Sequence, residues 1–329
     1  MKKLILLAVT LLLIFGISAV FIYSGLIEKV DDKTYRKAFR ESYKIFTPEI
    51  PTHASFADEK APLDHLLVRE KLDREFLVNT YWHTSTILLI KRANRWFPVI
   101  EPILKKNNIP DDFKYLALIE SGLTNVVSPK GATGFWQFME DTAKEYGLEV
   151  NDNVDERYNV EKSTEAACRY LQDVFEEYKS WTLVAAAYNA GNRRIAESLE
   201  KQKTNNYYDL HLNEETARYV FRILSIKTIY ENPTRYGFYL RESDLYPVIP
   251  SEIIEVDYSL PDLGSFASEH QINYQILKEF NPWLRSGQLP AKAGKTYRIK
   301  IPEKEYLFVD RHQKDIDNPG RIFNDTIDQ

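Results

Sequence analysis

Phe113, Leu116, Ala117 and Glu120 share one face of a helix, because positions i, i+3, i+4 and i+7 fall one above another. No lysine or arginine lies within one turn of Glu120. Burial disfavours a carboxylate anion, and the negative C-terminal end of a helix disfavours it further, so this carboxyl should hold its proton. Such a group can act as a general acid. Gly122 stops the helix two residues later, which would lift the carboxyl to the edge of a cleft. The competing reading is a glutamate that simply reaches solvent at a frayed helix end.

Two further stretches present polar groups beside apolar ones. In "SPKGATGFWQFMEDTAKEYGL", Gly131 and Gly134 precede a helix expected over Phe135 to Tyr146, with the Gln137 amide in its first turn. In "WTLVAAAYNAG", three alanines allow close packing and lead to Tyr188 and Asn189. Each has a plain alternative, a satisfied core amide or a core aromatic. The lone Cys168 lies on a helical pattern with Thr164, Ala167, Leu171, Val174 and Tyr178, which favours a packing role over a reactive thiol. The six histidines show no metal-ligand spacing, and no cofactor is expected.

The elements that must position these groups are helical. Apolar periodicity marks helices from Leu63, over Trp96 to Lys106, Asp111 to Ser121, Glu161 to Lys179, Trp181 to Ala190 and Glu214 to Tyr230. Pro110, Gly122, Gly147, Gly191 and Pro233 fall where helices should end. The tail alternates at Ile253 to Val256, turns helical over Leu260 to His270 and Tyr274 to Phe280, and alternates again at Tyr297, Ile299 and Ile301. The order is β-α-α-β, a small module joined to a larger all-α one.

The 329 residues are 44% hydrophobic and 28% charged, ordinary globular composition. A net charge of −5 without a basic block argues against nucleic acid as a partner. Lys2 and Lys3 precede 24 uncharged residues from Leu4 to Ile27, long enough to cross a bilayer with the N-terminus inside. A cleaved signal near Ile17, Ser18 and Ala19 is the rival reading, and both export the chain. The division expected is an anchor or signal at 1–27, a spacer and leading helix at 28–77, the helical domain at 78–238, a linker at 239–250, the small module at 251–303 and a tail at 304–329.

Taken in order, Glu120-Ser121, Gly134 to Gln137 and the run Ala187 to Gly191 resemble the soluble lytic transglycosylase family, whose fold is lysozyme-like. "NVDERYNVEKSTEAACRYL" and "EETARYV" resemble its membrane-bound murein transglycosylase D branch, and the tail resembles a LysM module. The resemblance implies peptidoglycan glycan strands as the partner. It implies Glu120 as the single catalytic residue, with Ser121, Gln137, Tyr188, Asn189, Glu215 and Tyr219 on the substrate. It also implies closure of a 1,6-anhydromuramic ring without water, on the periplasmic face of the inner membrane or in the periplasm. The pair Phe135-Trp136 departs from the Leu-Met of many relatives, which should reshape a subsite wall. Two rivals remain open at this level. A goose-type muramidase would recruit a second carboxylate such as Glu140, Asp141, Asp152 or Asp155, and a silent wall-binding protein would only hold glycan.

Overall fold

The computed structural model describes residues 32–42, 44–309 and 323. The expected anchor or signal at 1–27 and most of the tail at 304–329 lie outside them. Among the described residues no helix is long and apolar enough to cross a membrane. Residues 1–47 and 48–329 form separate compact units, and the first contains helix α1 (Asp32–Ser42).

The second unit opens with a short hairpin, β1 (Ser55–Phe56) and β2 (Glu59–Lys60), inside the segment read as spacer. It is part of the core. Phe56 is fully buried and meets Phe113 edge-on, ring centroids 4.9 Å apart. Helices α2 (Leu66–Tyr81), α3 (His83–Lys106) and α4 (Phe113–Ser121) follow. Helix α3 begins thirteen residues before the Trp96 start that periodicity suggests, because "HTST" is a poor helix former that packing overrides. Thr86, Ile90, Ala93, Phe97, Ile100 and Leu104 give it one continuous buried face.

Helix α5 is short (Glu140–Glu145), and α6 (Val160–Tyr178) and α7 (Trp181–Ala190) follow it. Glu59 of the hairpin caps α7 from a distance, accepting from the amides of Trp181 at 2.5 Å and Thr182 at 2.9 Å, where a helix start favours an anion. Helix α8 (Asn192–Gln202) restarts at once after Gly191 and has a thin apolar signal, with Ile195 its one buried residue. Helix α9 (Glu214–Glu231) packs against α2, α4 and α7 and so runs through the middle of the domain.

The C-terminal module is β3 (Ser251–Val256), α10 (Leu263–Glu269), α11 (Tyr274–Phe280) and β4 (Tyr297–Pro302), the order that the sequence pattern predicts. The strands pair antiparallel from Ser251↔Pro302 to Val256↔Tyr297. Asn281, fully buried, bonds both backbone groups of Lys300 and ties α11 to β4. The module does not hang free. Its core includes Val154 and Tyr158 of the helical domain. The Asp155 amide donates to the Trp283 carbonyl at 2.9 Å, and the Arg285 amide to the Asn153 carbonyl at 2.8 Å. Lys295 pairs with Glu149 and, at 2.8 Å, with Glu156, while Lys300 pairs with Glu161.

The Glu156 side chain is 2% exposed, so its charge depends on these partners. Burial alone would raise its pKa, but hydrogen bonds from Lys162 and Lys295 outweigh burial and hold it below the usual range. Lys295→Ala should therefore cost roughly 2–3 kcal/mol of stability at neutral pH, read by urea titration. A group whose folded pKa is lowered stabilises above its unfolded pKa. The deficit should thus shrink as pH falls below that of a free glutamate.

Candidate active site

Glu120 stands one residue before the end of α4, whose residues Tyr115 to Leu118 are all buried. Gly122 ends the helix at φ 61°, with its amide on the Leu118 carbonyl at 2.9 Å. This is the left-handed stop that glycine supplies without strain. The carboxyl is half-buried and accepts a hydrogen bond from the hydroxyl of Tyr219, a fully buried phenol on α9. Arg222, one turn further along α9, donates to the Ile119 carbonyl at 3.2 Å, and Arg92 of α3 donates to the Gly122 carbonyl at 3.2 Å. Two guanidinium groups thus hold the last carbonyls of the helix that carries the acid.

Burial raises the Glu120 pKa, and the neighbouring Glu215 charge raises it further. The Tyr219 hydrogen bond and the Arg222 charge pull it back without reversing the direction. The result is a carboxyl that holds its proton above the ordinary glutamate range. The cations near it come from α3 and α9, far along the chain, so the absence of a lysine or arginine on its own helix is only half the story.

Tyr188 and Asn189 end α7 close by. The Tyr188 hydroxyl donates to the Trp136 carbonyl at 2.5 Å, its ring meets Tyr170 edge-on, and burial and then the Glu120 charge push its pKa well up. Asn189 accepts from Thr216 at 2.8 Å and reaches Glu215 with its amide nitrogen at 3.4 Å. Glu120, Tyr219, Tyr188, Asn189 and Glu215 are therefore brought together around the ends of α4, α7 and α9.

Ser121 and Gln137 serve the adjoining turn. The Ser121 hydroxyl donates to the Phe135 carbonyl at 2.9 Å, which ties the end of α4 to residues 133–138. Gln137 is not on a helix, contrary to the expected span Phe135 to Tyr146, because α5 starts only at Glu140. Phe135, Trp136 and Phe138 are all buried, and a tight turn rather than a helix sends these successive side chains inward. Thr133 and Phe138 pair across the turn, with Gly134 at φ 78° and Gln137 at φ 49°. A Cβ on Gly134 would lie 2.1 Å from the Arg157 carbonyl, so glycine is required there. The Gln137 side-chain nitrogen donates to Gly134 at 2.8 Å and Val126 at 3.1 Å, and its oxygen has no protein donor among the described residues.

A cavity of about 820 Å³ opens beside Glu120, with Trp82, Arg92, Gly122, Glu215 and Arg222 on its walls. Gln137, Tyr188 and Asn189 are not on its lining. Sequence periodicity had no means of finding Arg92 or Arg222, which sit on helices of mixed polarity. Trp82 carries a faint signal as an exposed aromatic between two helices. None of Glu140, Asp141, Asp152 and Asp155 lines the cavity. Asp155 grips Arg157 at 2.9 and 2.8 Å, and Glu140 pairs with Lys144 at 2.6 Å. Cys168 is buried, and burial pushes its thiol up to about 12, which leaves it inert as a nucleophile. Among the described residues no group of three or more metal-ligating side chains occurs.

Residues 97–211 match the Transglycosylase SLT domain family, and residues 252–305 match the Soluble lytic transglycosylase C-terminal LysM-like domain. The two matches follow one another along the chain in that order. It is 29% identical over 244 residues to membrane-bound lytic murein transglycosylase D of Escherichia coli K12, covering 72% of this chain. It spans about half of that relative's length, 52%. The 70 kDa soluble lytic transglycosylase of E. coli gives a TM-score of 0.36 at 22% identity, over 42% of this chain and 24% of that one. An inactive mutant of lytic transglycosylase Slt from Pseudomonas aeruginosa gives 0.34 at 18%, over 62% and 28%.

The raised Glu120 pKa has a consequence for stability. An acid whose folded pKa lies above its unfolded value costs stability once the pH exceeds the unfolded value, because the folded state then gives up its proton less readily than the unfolded one. Glu120→Gln removes that cost and keeps an acceptor for Tyr219. The variant should melt higher than the parent at pH 8, and the gap should close below the ordinary glutamate pKa of 4.5.

Proposed function

We propose that this chain cleaves the β-1,4 bond between N-acetylmuramic acid and N-acetylglucosamine in peptidoglycan as a lytic transglycosylase, with Glu120 as the only catalytic carboxyl. The observation that carries the reading is a proton-holding Glu120 on the wall of a cavity of about 820 Å³, met by a phenol rather than a cation in ion-pair contact. The match of residues 97–211 to the Transglycosylase SLT domain supports it.

Neutral Glu120 donates its proton to the leaving glycosidic oxygen as the C1–O4 bond breaks. The carboxylate left behind is stabilised by the Tyr219 hydroxyl, whose hydrogen bond strengthens on an anion, and by the Arg222 charge. It then takes the proton of the C6 hydroxyl of the same muramyl ring as O6 bonds to C1. The 1,6-anhydro ring closes and no water is consumed. Ser121 and Glu215, on the cavity wall, would hold the sugar so that O6 faces C1, and Gln137, Tyr188 and Asn189 would extend that hold from the turn and helix end beside the cavity. The free Gln137 oxygen suits a hydroxyl or amide donor of the sugar.

The same reading assigns glycan binding to the LysM-like module. It places the chain outside the cytoplasm, held to the membrane by residues 1–27 or released if they are cleaved. The name of the E. coli relative, membrane-bound, agrees with the first alternative.

A goose-type muramidase would need a second carboxylate. On the cavity wall Glu75 is tied to Arg218 at 2.6 Å and to Arg74 at 3.1 Å, and Glu214 meets Arg74 at 3.2 Å and Arg218 at 3.5 Å. Glu215 is the carboxylate left for that role. A wall-binding protein without catalysis would release no fragments at all.

Three measurements on purified peptidoglycan separate these readings. Glu120→Gln should lower turnover by about a hundredfold or more, since the proton donor is gone. The parent should release anhydro-ended muropeptides, lighter than hydrolysis products by one water. Glu215→Gln should raise KM several-fold while its products stay anhydro-ended. Reducing-end products that vanish in Glu215→Gln would assign a hydrolase. Asp155→Asn is unsuited to this test, because it would release Arg157 from the Gln137 turn.

A further inference from the structure

A separate cavity, of about 310 Å³, lies at the C-terminal end of α9 and shares no lining residue with the cavity of Glu120. One wall is the hairpin and the residues leading into it, with His53, Ser55 and Lys60. The other is α9 at Lys227, Thr228 and Glu231, continued by Asn232, Arg235 and Tyr236. Glu231 stands about 18 Å along the α9 axis from Tyr219, the partner of Glu120.

Two of the cations here are already engaged. Lys227 pairs with Asp112 at 2.7 Å and donates to the Ser55 carbonyl at 3.1 Å, and Arg235 pairs with Glu49 at 2.8 Å. Lys60 is exposed and has no ion-pair partner among the described residues. On the facing wall Glu231 accepts a long hydrogen bond from the Tyr115 hydroxyl at 3.3 Å, and it too has no ion-pair partner among the described residues. A free cation and a free carboxyl thus line one cavity without meeting each other.

Two neutral groups are also left open. Tyr236 is 5% exposed and stacks on Phe76 with ring centroids 5.1 Å apart, and its hydroxyl is buried with no hydrogen-bond partner among the described residues. A buried hydroxyl without a partner is costly, and a ligand oxygen would remove that cost. The Asn232 amide nitrogen donates to the Thr228 carbonyl at 3.2 Å, which leaves its oxygen as an acceptor.

We propose that this cavity binds a small zwitterion of the amino-acid type, with its ammonium on Glu231 and its carboxylate on Lys60. Burial raises the Glu231 pKa, and the charges of Lys227 and Lys114 and the Tyr115 hydrogen bond pull it back without reversing the direction, while Asp112 adds to the rise. A carboxyl in that state gains from an added cation. A simple amine would satisfy Glu231 and leave Lys60 open, and a simple carboxylate would do the opposite. A phosphate dianion would find one uncommitted lysine and would face the Glu231 carboxyl. The volume takes an amino acid together with its side chain.

The place of the site in the fold gives it reach. Lys227 holds Asp112, the residue directly before α4, and Glu231 holds Tyr115 within α4. A ligand here therefore touches the supports of the helix whose other end carries Glu120. The assignment makes no use of the proposed activity.

The test is a titration of the full chain, in mild detergent, with racemic alanine, with its two halves propionate and ethylamine, and with inorganic phosphate. The six histidines are read by NMR of their ring protons, and His53 is assigned by His53→Gln. The His53 signals should move on a saturating curve with alanine while the others stay still, and each half should bind about tenfold more weakly. Glu231→Gln, which keeps an acceptor for Tyr115, should weaken alanine about tenfold or more and leave propionate no weaker. Lys60→Met, at an exposed position, should weaken alanine about threefold and leave ethylamine unchanged. His53 signals that stay still up to the solubility limit of alanine would overturn the proposal. So would propionate or phosphate binding as tightly as alanine, or alanine binding indifferent to Glu231→Gln.

Discussion

Everything in the helical domain is arranged around one constraint, that the Glu120 carboxyl must be buried enough to keep its proton and yet stand at the mouth of a cavity. The hydrogen bond from Tyr219 meets both demands. A phenol satisfies a carboxyl in either protonation state, whereas a cation in contact would fix it as the anion. Other buried carboxylates show the contrast. Glu75 is held by Arg218, Asp155 by Arg157, Glu156 by Lys295 and Asp112 by Lys227. Those acids are each held in an ion pair. Glu120 meets a phenol, with the Arg222 guanidinium engaged on the neighbouring Ile119 carbonyl. Helix α9 makes this possible, since it carries Tyr219, Arg222 and Glu215 on one stretch and packs against α4 and α7.

The sequence made part of this legible. Glu120 stood out because an acid on an apolar face breaks the helical pattern, and Gly122 marked where the helix had to stop. The βααβ order of the module follows from alternation at Ile253 to Val256 and at Tyr297 to Ile301, and on the second of these strands pattern and burial coincide. Helix α7 was found with both its ends, because Ser180 and Gly191 flank a compact apolar run.

What stayed hidden depended on long-range contacts. The turn at Gly134 to Phe138 reads as a helix from sequence because "GFWQFMEDTAKEYG" has helical composition, and the Arg157 backbone that makes the turn necessary lies more than twenty residues away. The hairpin at Ser55 to Lys60 looked like spacer, since four residues of strand leave no periodicity to read. Its value lies in Phe56 and in Glu59, whose roles appear only when Phe113 and α7 are in place. Arg92 and Arg222 are ordinary surface residues until the carbonyls at the end of α4 are set between them.

The segment from Glu149 to Tyr158 joins these themes, because it has two duties. Glu149 and Glu156 exchange backbone and side-chain hydrogen bonds at 2.8 Å and together receive Lys295 of the C-terminal module. The next residue, Arg157, supports the Gln137 turn with its carbonyl against Gly134 and its guanidinium on the carbonyls of Gly131 at 3.2 Å and Phe138 at 3.3 Å. Grip on the module and support of the turn are thus adjacent in one short stretch, without a flexible link between them. A displacement of the module would therefore be felt by the residues behind the turn. A module attached in this way acts as a wall of the larger domain.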